Sequence, residues 1–422
     1  MDATEVEHVL NIPISSKAFA TMETSVRSDV LENPYAFFEG IRARQGDVIR
    51  VENATVDGVV LPFLGSRDAD RPVYVAMGFD TVRDIVANNK AIYQNYGESM
   101  DVLMGENQLA GMNPPLHQKY RALVSKAFEL HSLPTLTKTV IEPLVDGMID
   151  RIATGDHTEL MEALACRLPV FLIGHICALE TEKYDDFARA AGALMANPYN
   201  WNGAVAASAE LKELFETAIA KKRANPGNDL ISKLILSEVD GERLSQSDII
   251  STCRALVPAG IETTVRALGT LCTAILSFPE QAAQVRHNPK LVPVFLDELL
   301  RWNGPAQMLP KRTLEDTEIA GTLVPANSHL WCYIGHANRD PSHWENPDNF
   351  DIGRRKQPHL AFSFGAHFCV GNQFARREME VVLTKLLERL PGLRLDPDSP
   401  QPVVKGVIFR SPDHIHATTG VE

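Results

Sequence analysis

The stretch His359-Leu-Ala-Phe-Ser-Phe-Gly-Ala-His-Phe-Cys-Val-Gly371 constrains this chain more than any other. Cys369 lies in a loop punctuated by Gly365 and Gly371, with aromatic residues ahead of it and an amphipathic helical run, Phe374 to Leu390, behind it. A sulfur just before a helix start faces the partial positive charge of that terminus. The cost of the thiolate falls there, and the thiolate is the form that binds metal. Glycines let backbone amides approach the sulfur closely, while Phe362 and Phe364 supply a flat apolar wall. The bland alternative is a small buried cysteine after a glycine turn, the common fate of a free thiol.

A second stretch has the same double character. Ser247 to Ser277 is mostly apolar and closes at Pro279. As one helix, at ~1.5 Å per residue, it would reach well over ~40 Å, and a helix apolar on most sides is buried. Within it, Pro258 cannot donate to the carbonyl of Arg254, and Gly260 weakens the next turn. Thr263 can bond back to the carbonyl of Ala259. Together these predict a local widening. Glu262 inside a buried helix is costly unless paired or used. The competing reading is a kinked packing helix with Glu262 on an exposed edge.

Two further pairs share helix faces. Pro114-Pro115 opens a helix carrying His117 and Arg121, four apart and able to converge on an anion. A solvated face would explain the same spacing. Leu291 to Trp302 carries Glu298 and Arg301, three apart; buried, each would need the other.

Composition limits what such a chain can do. The net charge of -13 over 422 residues lacks the basic stripe that phosphates demand, so nucleic acid is excluded as a partner. No run approaches the ~18 apolar residues of a membrane span, and no leader pattern opens the chain. A cytoplasmic protein without a membrane anchor is expected. The cysteines at 166, 177, 253, 272, 332 and 369 form no C-x-x-C pair, which argues against zinc and against a disulfide framework.

Residues 1–30 read as an irregular lead-in. Helices are expected over Ala36 to Arg44 and Thr81 to Asn88, around a small hairpin sheet from Val48 to Val75, followed by a loop from Asn89 to Asn113. Residues 132–240 read as helical, with a connector from Gly192 to Gly203. Strands are expected over Glu318 to Val324 and His329 to Ile334, and a closing hairpin over Pro402 to Arg410. The class is mainly α with small β-sheets.

In this order, Ala259-Gly-Ile-Glu-Thr-Thr264, Glu298-Leu-Leu-Arg301 and Phe362-x-x-Gly365-x-His367-x-Cys369-x-Gly371 resemble the motifs of the cytochrome P450 family, in its bacterial soluble, ferredoxin-dependent class. The resemblance covers nearly the whole chain, from Asn33 to the final hairpin. It implies a single domain over 31–422, a triangular α-rich prism crossed by a long central helix. Cys369 would be the axial thiolate of heme b iron. Phe362 and Gly365 would shape the heme-binding loop, and His117, Arg121, Arg312 and His367 would bind the heme propionates. Glu298 and Arg301 would form a structural network with Arg354. Thr263 and Glu262 match the family's acid–alcohol pair, which supplies protons for cleaving O2.

The chain carries no flavin or iron–sulfur module, so NAD(P)H-derived electrons would arrive through a reductase and an acidic [2Fe-2S] ferredoxin. Arg376, Arg377 and Lys126 are candidate docking cations, with ordinary solvated charges as the alternative. The resemblance places Ala255, Ala259, Met308 and Ile408 in a pocket for a small or medium hydrophobic substrate. A terpenoid or aromatic compound would be hydroxylated or O-dealkylated there. Two other readings compete. A peroxide-using or isomerising heme-thiolate enzyme usually lacks the acid–alcohol pair, and a non-catalytic heme or ligand binder has no need of Thr263.

Overall fold

The computed structural model describes residues 1–20, 23, 26–61, 71–88, 90–96, 98–128, 133–197 and 200–420. It is mainly helical, with several small sheets. The largest sheet has five strands in the order Val48–Val51, Val73–Ala76, His329–Tyr333, Met308–Thr313 and Ile92–Gln94. All its pairings are antiparallel except Val73–Ala76 against His329–Tyr333. No helix among the described residues is long and apolar enough to cross a membrane.

The long apolar run forms the predicted central element in three pieces. Gln246–Leu256 and Thr263–Ser277 are α-helical, and Val257–Glu262 between them is a wide π turn. Pro258 lacks the N–H that a regular turn would use, so the ladder opens there. The Thr263 hydroxyl donates to the carbonyl of Ala259 at 2.7 Å. Every residue from Thr264 to Leu276 is buried, which explains why no polar stripe marks this helix. Against it pack the helices Val292–Asn303 and Asn372–Arg389.

Three expectations need correction. The first thirty residues are not an irregular lead-in. Asp2 caps the helix Ala3–Asn11 by accepting from the amides of Thr4 and Glu5, and the Glu5 carboxylate returns to the Asp2 amide. Val9 and Leu10 are buried against the helix Glu142–Ile152. Gly147 makes the close approach possible, since a Cβ there would lie 2.9 Å from Leu10 Cδ1. The presumed loop from Asn89 to Asn113 contains the strand Ile92–Gln94 and the helix Glu98–Met104, with Leu103 and Met104 buried; Asn89 itself lies outside the described residues. The closing hairpin is a turn without a ladder. Among the described residues its strand-like pairing is limited to the single bridges Lys405 with Ser411 and Ala306 with Phe409. Its shape is fixed by Arg410, whose guanidinium donates to the carbonyls of Leu31, Glu32, Val404 and Gly406 and to Asn303 Oδ1.

On the helix after the cysteine, Glu378 is buried and its Oε2 has no partner among the described residues. Burial pushes its carboxyl from 4.5 up to about 8. The folded state therefore keeps a proton that the unfolded state releases. The contribution is full below 4.5 and is lost as pH rises through about 8, at up to ~1.4 kcal/mol per pH unit. Glu378→Gln is expected to melt with the parent near pH 5 and clearly above it near pH 8.5. Parallel melting curves across that range would contradict this.

Candidate active site

The cysteine loop is held from three directions. The Cys369 amide donates to the carbonyl of Phe362 at 2.9 Å. Asn372 Nδ2 donates to the Cys369 carbonyl at 2.8 Å, one residue into the helix Asn372–Arg389. Gly365 turns the chain at φ +73, where a Cβ would press on Ala87 Cα at 3.2 Å, so only glycine fits. Burial pushes the Cys369 thiol up, against the pull of the Gly371 amide and Arg121. The helix terminus alone therefore does not ionise the sulfur, whereas a coordinated cation would deprotonate it outright. Phe364 and Phe368 are 46% and 40% exposed beside it, an open aromatic lining rather than packed core.

Beside this loop the structure gathers four basic groups. His117 is 1% exposed and neither ring nitrogen has a hydrogen-bond partner among the described residues; its ring centroid lies 4.0 Å from that of His367. Burial, then the charges of His117, Lys311 and Arg121, hold His367 down to about 3. Burial likewise lowers Lys311 and Arg121. Among the described residues, none of the four pairs with a carboxylate. His117 and Lys311 are buried and Arg121 and His367 half-buried, and such donors without acceptors among the described residues fit an anionic ligand edge. A thiol, an aromatic lining and a cationic rim together suit the iron and propionates of heme b.

Lys311, not Arg312, is the member from the strand Met308–Thr313. Side chains alternate across a strand, and Lys311 is 2% exposed and faces the histidine pair, whereas Arg312 is turned to the other face. The same alternation removes Met308 from the pocket lining. Met308 packs with Phe38, Val75 and Tyr333 in a second core. Of the other pocket candidates, Ala255 is half-buried, Ala259 exposed and Ile408 half-buried in the closing turn.

Glu262 points inward from the wide turn. Its Oε1 accepts from Arg266 Nη2 at 3.0 Å. Burial raises the Glu262 carboxyl, and Arg266 opposes that rise. Glu298 is 5% exposed and accepts from Arg301 Nε at 2.7 Å and Nη2 at 2.8 Å, and from Arg354 Nε at 3.2 Å. Arg301 spends its remaining donors on the carbonyls of Asn338, Pro347 and Asn349, which shapes the segment leading to the cysteine loop.

The candidate docking cations are engaged. Arg376 Nη1 sits 2.7 Å from Asp297, and its guanidinium lies over the Phe362 ring. Burial pushes the Asp297 carboxyl up, but the His359 and Arg376 donors overcome it and hold it well below the usual range. Arg377 pairs with Glu380, and Lys126 donates to the Glu238 carbonyl. Lys311, Arg266 and Asp297 were missed by motif reading. Strand phase could have found the first, and i,i+4 spacing from Glu262 the second.

Residues 193–414 match the family model described as Cytochrome P450. The chain is 36% identical over 284 residues to Cytochrome P450 107B1 of Saccharopolyspora erythraea, covering 67% of this chain and 70% of that one. It is 30% identical over 395 residues to Cytochrome P450 monooxygenase PikC of Streptomyces venezuelae, covering 90% of each. Among solved structures, Cytochrome P450 CYP109Q5 from Chondromyces apiculatus superposes with a TM-score of 0.81 at 28% identity, over 93% of this chain and 96% of that one.

Proposed function

Because the chain belongs to the cytochrome P450 family, we propose that it oxygenates a small or medium hydrophobic substrate, a terpenoid or aromatic compound, by hydroxylation or O-dealkylation. Heme b is its cofactor, and O2 and NAD(P)H-derived electrons are its cosubstrates. The observation that carries the reading is the basic cluster His117, Arg121, Lys311 and His367 beside Cys369, which has no carboxylate partner among the described residues.

Cys369 would ligate the iron and the four basic groups would hold the propionates. When bound, heme supplies the reductive activation of O2 and the transfer of one oxygen atom. The chain's own part is placement and proton supply. The π turn sets the Thr263 hydroxyl against the Ala259 carbonyl, which leaves its oxygen free to accept a hydrogen bond. Glu262, whose carboxyl burial raises against the pull of Arg266, is the acid assigned to pass protons to that hydroxyl. The alcohol and acid together favour an O2-using monooxygenase over the peroxide-using or isomerising alternative, and a passive binder has no use for either.

Electrons are proposed to come from an acidic [2Fe-2S] ferredoxin and its reductase. Arg376 and Arg377 already pair with acids, so steering would be weaker than free cations would give. Steady turnover with NADH, ferredoxin and reductase, and little with peroxide alone, supports the reading; the opposite ranking overturns it. Thr263→Ala is expected to keep the red-shifted carbon monoxide band while product per NADH falls about tenfold or more. Unchanged coupling in that variant would remove Thr263 from proton delivery.

A further inference from the structure

Arg266, one helical turn beyond Glu262, is 1% exposed and among the largest fully buried side chains. Its guanidinium faces two ways. Nη2 donates to Glu262 Oε1 at 3.0 Å, and Nη1 donates to Ser411 Oγ at 3.1 Å. The guanidinium carbon lies 5.4 Å from the centre of the Phe409 ring, while Nε has no partner among the described residues. An apolar side chain of similar size would fill this space without desolvating a charge. Arginine at this position links the central helix to the closing turn in a way that an apolar residue could not.

The turn brings a charge of its own. Glu23, 8% exposed, accepts from the amides of Val407 at 3.1 Å and Ile408 at 2.8 Å. Glu262 therefore sits in a field made by one cation and one anion, both fastened to residues 407–411. Burial raises the Glu262 carboxyl most, Arg266 lowers it and Glu23 raises it again. Any shift of the turn changes both the distance and the direction of Arg266 from Glu262, and charge interactions in a low-dielectric site respond strongly to such shifts.

We propose that Arg266 is a positioning residue that couples the seating of the Phe409–Ser411 turn to the proton-donating carboxyl of Glu262. With the turn seated, the guanidinium fork holds the carboxyl in place. Without the Ser411 tie, Arg266 Nη1 is released and the fork that orients Glu262 loosens. The inference rests on the proposed role of Glu262 in proton supply.

The test uses full-length, heme-loaded Glu262→Gln, Arg266→Gln, Arg266→Lys and Ser411→Ala enzymes. The probe is the terpene or aryl ether that gives the largest spin-state change in a panel. Arg266→Gln is expected to lower product per NADH about fivefold and to enlarge the solvent isotope effect. The carboxyl infrared band assigned by its loss in Glu262→Gln should shift in the same variant. Arg266→Lys should restore part of the coupling, and Ser411→Ala should lose about half of it. An uncoupled Glu262→Gln beside a fully coupled Arg266→Gln with an unmoved band overturns the proposal and leaves the proton-supply reading standing. A fully coupled Glu262→Gln overturns both. Should Arg266→Gln fail to fold, Ser411→Ala decides, because it removes the hydrogen bond to the turn and leaves Arg266 and Glu262 in place; unchanged coupling and band there refute the proposal.

Discussion

Cys369→Ser is expected to abolish the red-shifted carbon monoxide band of the reduced protein and to cut turnover by far more than ~100-fold, the loss typical of an outer-shell partner. Serine fits the loop. The contacts that shape it run through backbone atoms and Asn372: the Cys369 amide to Phe362, and Asn372 Nδ2 to the Cys369 carbonyl. What the variant lacks is a soft anionic ligand able to push electron density onto iron. Far-ultraviolet dichroism should therefore match the parent while the spectrum of the bound heme does not. A serine variant with the parental carbon monoxide band would refute Cys369 as the ligand, and the proposed function with it.

Glu298→Ala should be the most damaging change away from the cysteine. Glu298 accepts from Arg301 twice, from Arg354, and from the Asp351 amide at 2.9 Å. Arg301 is 2% exposed, so its charge cannot return to water once the carboxylate is gone. Removing one partner of a buried pair costs about 3–5 kcal/mol, a large share of the ~5–15 kcal/mol that holds a domain folded. The damage would spread, because Arg301 and Arg354 also hold the carbonyls of Pro347, Asn346 and Asn349 ahead of the cysteine loop. A urea midpoint and the yield of heme-loaded protein would measure it. Arg377→Ala breaks a partly exposed pair on the helix after the cysteine, worth at most ~1 kcal/mol, and is the matched control. Equal midpoints for the two variants would contradict the buried network's role.

What the sequence made legible follows from local chemistry. Pro258 and Thr263 announce a widened turn because one lacks a donor and the other can bond back, and the turn is there at Val257–Glu262. The pairing of Glu298 with Arg301 was readable from helical spacing, whereas Arg354 came only from the family resemblance, and the structure brings it to Glu298 Oε1 at 3.2 Å. Other features depend on phase or on distant chain. Lys311 and Arg312 are neighbours of like charge, and only the pairing of Lys311 with Leu330 and of Arg312 with His329 decides which faces the histidines. Met308 fell on the wrong side for the same reason. Arg376 looked like a free surface cation because Asp297, which neutralises it, comes from a helix far away in sequence. The opening helix was written locally, in Asp2 and Glu5, but its short apolar stripe has no meaning until the helix Glu142–Ile152 offers a surface to cover.

That helix bears on how the protein can be handled at the bench. Shortening the gene to begin at position 31 would strip the cover from Gly147 and Met148 and remove the capping carboxylates of Asp2 and Glu5 together with Glu23. The product would expose a greasy seam on its flank and slacken the turn at Val407 and Ile408, which Glu23 grips. Trimmed versions should aggregate and lose regioselectivity at once, even though the cut falls far from the cysteine in sequence.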